Sequence, residues 1–129
     1  MADIDYGAWL NFALLAGGDL KPKRILELFA GHAPLEKIAT KQGHEVLALD
    51  LEPKILAQAQ GRRVAADALQ IPVGDGIFDL ALATNASINY LPDMAVLTRH
   101  FVEVKRVLKS EGNYVFDCCT PGRAATLHL

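Results

Sequence analysis

Cysteine is nearly absent from the chain. Its two cysteines, Cys118 and Cys119, are adjacent, so an ordinary intrachain disulfide framework is excluded by reach and number. The Val115-Phe116-Asp117 pattern before them reads as a buried strand, where cysteine serves as inert packing. No uninterrupted apolar run approaches the ~18 residues of a membrane span. The first residues, Met1-Ala2-Asp3-Ile4-Asp5, are acidic where a secretory signal would be basic. A cytoplasmic chain with no membrane attachment is expected. Excess charge of either sign is missing as well: 13 Lys and Arg stand against 15 Asp and Glu, a formal net charge of −2. That leaves no basic footprint for nucleic acid and favours small-molecule chemistry. There is no internal repeat, low-complexity stretch or linker, and no metal site is expected. The 129 residues read as a single domain, 1–129, long enough for a core.

What is present is a regular alternation of helices and strands. Ile4 to Leu15 has apolar residues at helical spacing and ends at Gly17-Gly18. Arg24 to Phe29 reads as a first strand, with Pro34 placed to open the next helix, where its missing N–H is harmless. Glu45 to Asp50 is a second strand, and Pro53 opens another helix with Ile55, Leu56 and Ala59 inward. Arg62 to Ala66 and Ile77 to Thr84 are the third and fourth strands, separated by the turn-rich Ile71-Pro72-Val73-Gly74-Asp75-Gly76. Leu97, Phe101, Val104 and Leu108 form the apolar stripe of a helix from Asp93 to Lys109, capped by Asp93. Glu111-Gly112-Asn113 then reads as a turn into strand five, Tyr114 to Cys119. Near-continuous apolar strands alternating with helices predict an α/β, Rossmann-like three-layer sandwich with a mainly parallel sheet. Right-handed crossovers favour the order 3-2-1-4-5, with a ligand crevice where the order reverses.

Glu27, Asp50, Asp67 and Asn85 all fall at the carboxyl ends of these strands. Ile25 to Leu35 followed by Val46 to Asp50 is a nucleotide-binding βαβ pattern, in which Gly31 allows close backbone approach and Asp50 can accept from both hydroxyls of a ribose. Dinucleotide sites use three spaced glycines to cradle a pyrophosphate. This turn has only Gly31, and Pro34 removes a further donor. An adenosine ligand without phosphates, such as S-adenosylmethionine, suits it better. Each acid also has a plainer role as a turn former or cap. His32 could be a general base or simply an exposed loop residue, and Tyr6 and Trp9 could close over the site or pack their helix.

Glu27-Leu28-Phe29-Ala30-Gly31, Leu49-Asp50-Leu51-Glu52-Pro53, Asp67-Ala68, Phe78-Asp79-Leu80 and Val107-Leu108-Lys109-Ser110-Glu111-Gly112, in that order, resemble the class I S-adenosylmethionine-dependent methyltransferases over nearly the whole chain. The family usually has glycine at the positions of Phe29 and Ala33. The resemblance implies that Glu27 to Ala33, including Phe29, Ala30 and Gly31, wraps the methionine moiety. Asp50 would bind the ribose and Leu51 flank the adenine. Asp67 would accept from the adenine amino group, Ala68 backbone would read the ring, and Asn85-Ala86 would approach the methionine end. Ser87-Ile88-Asn89-Tyr90-Leu91 and Phe116-Asp117 are similar to small-molecule methyltransferases of the class. No Pro-Pro-aromatic follows Asn85, as exocyclic-amine methylation of DNA would require. Methyl transfer at a sulfonium compels no catalytic residue, so Asn85, Tyr90 and His32 are named only as pocket candidates.

The family's sheet normally continues through a helix and two more strands that are not expected here. The first reading is therefore a methyltransferase acting on a small molecule. A module that holds the cofactor without turnover is the second, and a nicotinamide-dinucleotide oxidoreductase domain the third. Strand five should then be a bare, apolar edge, and a homodimer built around it is expected.

Overall fold

The computed structural model describes residues 5–56, 62–84, 91, 93–117 and 124–127. Helix α1 (Tyr6–Ala16) starts where the Asp5 carboxylate accepts from the Ala8 N–H at 2.9 Å, and it stops at Gly17. Strand β1 (Arg24–Glu27) leads to α2 (Pro34–Lys41), which Pro34 opens at its first position. Strand β2 (Glu45–Asp50) is followed by α3 (Pro53–Leu56) and β3 (Arg62–Ala65). Strand β4 (Phe78–Ala83) precedes α4 (Met94–Val107), whose cap is again an aspartate, Asp93 accepting from the Val96 N–H at 2.9 Å. Strands β5 (Leu108–Asp117) and β6 (Ala124–Leu127) complete the described chain.

The sheet runs β3-β2-β1-β4-β5-β6, the first five strands parallel and β6 antiparallel to β5. Alternate residues of each strand serve opposite faces. Ile25, Val46, Leu80, Leu82 and Val115 meet Leu10, Leu14 and Leu35 of α1 and α2. Leu26, Leu49, Ala81, Tyr114 and Phe116 meet Val104 and Val107 of α4. That is the expected three-layer sandwich and strand order.

Three expectations are corrected. Strand five does not wait for a turn at 111–113. It begins directly from α4 at Leu108, pairs with Phe78, and then slips so that Leu80 faces Asn113. Residues 109–112 stand against the single Asp79, a surplus of three, and Lys109 reaches Asp79 at 3.1 Å. Second, strand five is not an edge: Tyr114 to Asp117 pair with β6, so the chain's own tail covers the groups on which edge-to-edge dimerisation would depend. Third, β1 ends at Glu27 rather than Phe29, because Phe29 turns into the left-handed region at φ 51°. The expected roles of Ala59 and of Cys118 and Cys119 fall on residues outside those described, as do the side chains of Ile55 and Leu56.

Candidate cofactor site at the carboxyl ends of the strands

The turn between β1 and α2 takes positive φ at every second residue, 51° at Phe29, 56° at Gly31 and 54° at Ala33. These are the positions where the sequence expectation set three glycines against one. Two non-glycine residues therefore hold a conformation that costs roughly 1–2 kcal/mol each. Packing and hydrogen bonds hold them there. Ala30 and Ala33 form a small buried cluster with Ala48 of β2. The Ala30 N–H donates to the Leu49 carbonyl at 2.9 Å, and the Gly31 N–H donates to Asp50 Oδ2 at 2.8 Å.

Asp50 thus has two structural duties. One oxygen holds Gly31, and the other accepts from the Glu52 N–H at 2.9 Å. An ionised carboxylate has about four lone-pair sites, so these two bonds leave capacity for further donors. Asp67 is arranged in the same way, its Oδ1 accepting from the Leu69 N–H at 2.9 Å while Gln70 N–H meets its carbonyl at 3.0 Å. The turn-former role and a ligand role are compatible at both positions. Leu51 is exposed and Ala68 buried, while His32 is exposed on the first turn. Tyr6 and Trp9 pack against the core under α1 and α2. Asn85, Ala86 and Tyr90 lie outside the described residues.

Glu27 sits beneath the same turn, 1% exposed. Its two oxygens accept from the backbone N–H groups of Leu35 and Glu36 at 3.2 and 2.9 Å, satisfying the first turn of α2, whose own N-cap Ala33 has no side chain able to do so. Burial pushes the Glu27 carboxyl up to about 8, against the opposing pull of those two bonds and with help from the neighbouring Glu36 charge. Glu36 is itself buried, and its Oε2 has no hydrogen-bond partner.

The second turn is held from α4. Between β3 and β4 the chain crosses without a helix, through residues 66–77. Arg106 spreads its guanidinium across that stretch, donating to the carbonyls of Ile71 and Val73 at 2.8 and 2.9 Å and to Asp75 at 2.8 Å. Glu103 accepts from the Ile71 N–H and pairs with Arg106, which holds the Glu103 carboxyl below its ordinary range. Nearer the site, His100 is fully buried and places Nδ1 3.0 Å from the Ala68 carbonyl and Nε2 2.9 Å from the Tyr114 hydroxyl. Sequence reasoning overlooked His100, Glu103, Arg106 and Tyr114. For His100 a signal existed, since it lies on the helix face between Leu97 and Val104. The buried centre of α4 is His100, Val104 and Val107, with Leu97 and Phe101 on its flank.

A cavity of about 280 Å³ opens at the amino ends of the strands, lined by Arg24, Leu47, Arg62, Val73 and Phe78. It lies at the opposite end of the sheet from the two turns, beside the crossover that lacks a helix. Among the described residues no cluster of His, Cys, Asp or Glu could hold a metal, and no helix is long and apolar enough to cross a membrane.

A parallel sheet that reverses its order between β1 and β4, with two aspartate-built turns at its carboxyl ends, defines a doubly wound nucleotide-binding domain. The chain belongs to the methyltransferase domain family, whose family model matches residues 26–116. The family's cofactor is S-adenosylmethionine. The nicotinamide-dinucleotide reading is thereby set aside.

The chain is 29% identical over 116 residues to a malonyl-[acyl-carrier protein] O-methyltransferase of Pseudescherichia vulneris, covering 86% of this chain and 45% of that protein. It superposes with a TM-score of 0.77 on an S-adenosylmethionine-dependent methyltransferase from Clostridium acetobutylicum, at 23% identity, covering 90% of this chain and 51% of the other. S-adenosylmethionine-bound CalS10, an amino pentose methyltransferase from Micromonospora echinaspora, is similar in fold at a TM-score of 0.77 and 21% identity, covering 92% of this chain and 52% of its own. The chain spans about half the length of these proteins.

Proposed function

We propose that the crevice above β1, β2 and β3 binds S-adenosylmethionine for methyl transfer to a small molecule. In this reading Glu27 to Ala33 surrounds the methionine moiety, Asp50 accepts from the ribose hydroxyls, and Leu51 lies along the adenine. Asp67 accepts from the adenine amino group and Ala68 backbone reads the ring. The observation that supports it best is Asp50 itself. A single carboxylate stitches the glycine turn to the end of β2 and still has acceptor capacity for a diol.

The residues present fit such a cofactor. The first turn, with one glycine and a proline-opened helix, is poor in the free N–H groups that a pyrophosphate needs. A bound S-adenosylmethionine supplies an activated methyl group. Held by Asp50, Asp67 and the turn from Glu27 to Ala33, it would donate that methyl group to an acceptor aligned with it. The protein's work is then alignment and exclusion of water, with no obligatory general base.

Titrating S-adenosylhomocysteine and NAD in parallel by calorimetry tests the reading, using protein shown folded by its thermal transition. The first should bind and the second should not. Asp50→Asn and Asp50→Ala should each weaken binding at least about tenfold, the loss of charged hydrogen bonds worth roughly 1.5–3 kcal/mol each. Unchanged affinity in both folded variants would remove the ribose assignment. Methyl transfer to a panel that includes oxygen acceptors, O-methylation being what the name of the Pseudescherichia relative states for that protein, separates turnover from cofactor holding alone.

A further inference from the structure

His100 reaches both cofactor turns from below. The Ala68 carbonyl can only accept, so His100 Nδ1 carries the proton and donates to it; Nε2 is then the acceptor for the Tyr114 hydroxyl. For a neutral ring this is the single arrangement in which both contacts are hydrogen bonds. Both residues are 0% exposed. Burial lowers the His100 pKa and raises that of Tyr114, so each group stays neutral and the arrangement persists near pH 7. The same imidazole packs 5.3 Å from the Phe29 ring, whose backbone is one of the left-handed residues of the first turn.

On the adenine side, the turn 67–70 is closed by two bonds of its own, from Leu69 N–H to Asp67 Oδ1 and from Gln70 N–H to the Asp67 carbonyl. Neither involves Ala68. The His100 bond is what fixes the Ala68 carbonyl toward the core, and among the described residues the Ala68 N–H has no acceptor. An uncommitted N–H beside the Asp67 carboxylate forms a donor and an acceptor next to each other. That pair matches the edge of adenine, where a ring nitrogen accepts and the exocyclic amino group donates. It mismatches hypoxanthine, whose ring nitrogen is protonated and whose exocyclic oxygen accepts.

We infer that His100, held in one tautomer and orientation by Tyr114, is a positioning residue that sets the Ala68 peptide for adenine recognition. The inference rests on the assignment of Asp67 and Ala68 to the adenine. A site that hydrogen-bonds one base edge rejects the mismatched edge because its own buried groups are left unpaired.

The test measures S-adenosylhomocysteine and S-inosylhomocysteine binding by calorimetry on the full chain and four variants. Wild type should prefer the adenosyl ligand, and Asp67→Ala should lose most of that preference. His100→Leu should reduce the preference at least about fivefold, because the Ala68 carbonyl is released. His100→Asn keeps an amide donor near the Nδ1 position and should retain the preference within about twofold, although it leaves the Tyr114 hydroxyl unpaired and lowers the melting temperature. That separation of specificity from stability is what a purely structural histidine would not produce.

Should His100→Leu fail to fold, Tyr114→Phe carries the test. It keeps the ring packing, frees the imidazole to rotate, and should cut the preference about two- to fivefold. Unchanged preference in folded His100→Leu or Tyr114→Phe overturns the inference, as does equal loss in the Asn and Leu variants. Full preference retained in Asp67→Ala overturns the adenine assignment instead, and is read independently of His100.

Discussion

Helices α1 and α2 close one face of the sheet with an apolar layer, Leu10, Leu14 and Leu35 meeting Ile25, Leu80 and Leu82. On the opposite face α4 and the helix-free crossover 66–77 must do the same work. Each face has a buried titratable group that ties down one of the turns at the carboxyl ends of the strands, and the two are of opposite kind. On the first face Glu27 is a carboxyl that caps α2 through two backbone donors. On the second, His100 is a neutral ring held between Ala68 and Tyr114. Where a helix already shapes the face, a single polar group at its end suffices. Where a loop replaces the helix, a chain of side chains from α4 is needed, running from His100 through Glu103 to Arg106.

The comparison breaks most readily in the apolar layer. Leu80 is fully buried on β4, and its side chain fills the space beside Gly17 at α1's end, where an added Cβ would come within 3.0 Å of it. Leu80→Ala should cost about 2–5 kcal/mol in urea unfolding, as core truncations do. Because Leu80 lies within the sheet opposite Ile25, before the first turn begins, S-adenosylhomocysteine affinity of the folded fraction should stay within about twofold. If Leu80→Ala instead erodes the adenosyl-over-inosyl preference as strongly as His100→Leu, the apolar layer and the buried polar groups do not act separately.

The buried pair predicts opposite pH dependence on the two faces. Glu27 has its pKa raised from 4.5 to about 8, so the native state keeps a proton that the unfolded chain has released. Its stabilising contribution is complete below about 4.5 and is lost as pH rises to about 8, at most about 1.4 kcal/mol per pH unit. His100 has its pKa lowered from 6.5 by burial. Its contribution is complete above about 6.5 and is lost as pH falls through the lower native value. Glu27→Gln should flatten the alkaline arm of the stability profile and leave the acid arm, while His100→Asn should do the reverse. Urea unfolding from pH 4.5 to 9 reads both arms. An alkaline arm that survives in Glu27→Gln would show that Glu27 is ionised in the folded protein.

Much of this arrangement is legible in the amino-acid sequence. The strands ending at Asp50 and near Asp67, the proline-opened α2 and the order 3-2-1-4-5 all follow from apolar runs punctuated by glycine, proline and acids. The turn residues Gly31 and Asp50 are legible for the same reason, since few residue types suit such a turn. The start of β5 is hidden because Lys109-Ser110-Glu111-Gly112 has the composition of a turn, yet the bulge places those polar residues outside the ladder. Strand β6 is four residues long and has no pattern of its own; pairing with β5 creates it. His100 is hidden for a different reason: a histidine on an apolar stripe gives no sign of which distant carbonyl it will meet. Its partners are 32 and 14 residues away in the chain.

The smallest expected effect concerns Phe29, where the two faces meet through the first turn. Its backbone is left-handed while its ring packs on His100, so side-chain contact offsets a backbone cost. Phe29→Ala removes the contact and keeps the cost. Phe29→Gly removes both, and should be more stable than Phe29→Ala by about 1 kcal/mol, the reverse of their order at an ordinary position. Ala33→Gly has the same backbone relief but gives up a fully buried methyl group against Ala48, worth about 0.8 kcal/mol, and should come out near neutral. Urea unfolding of the three variants decides the point. Phe29→Ala equal to or more stable than Phe29→Gly would mean that the turn stores no left-handed strain at Phe29. The histidine's packing there would then be a neighbour's contact rather than the support that keeps a non-glycine residue in the turn.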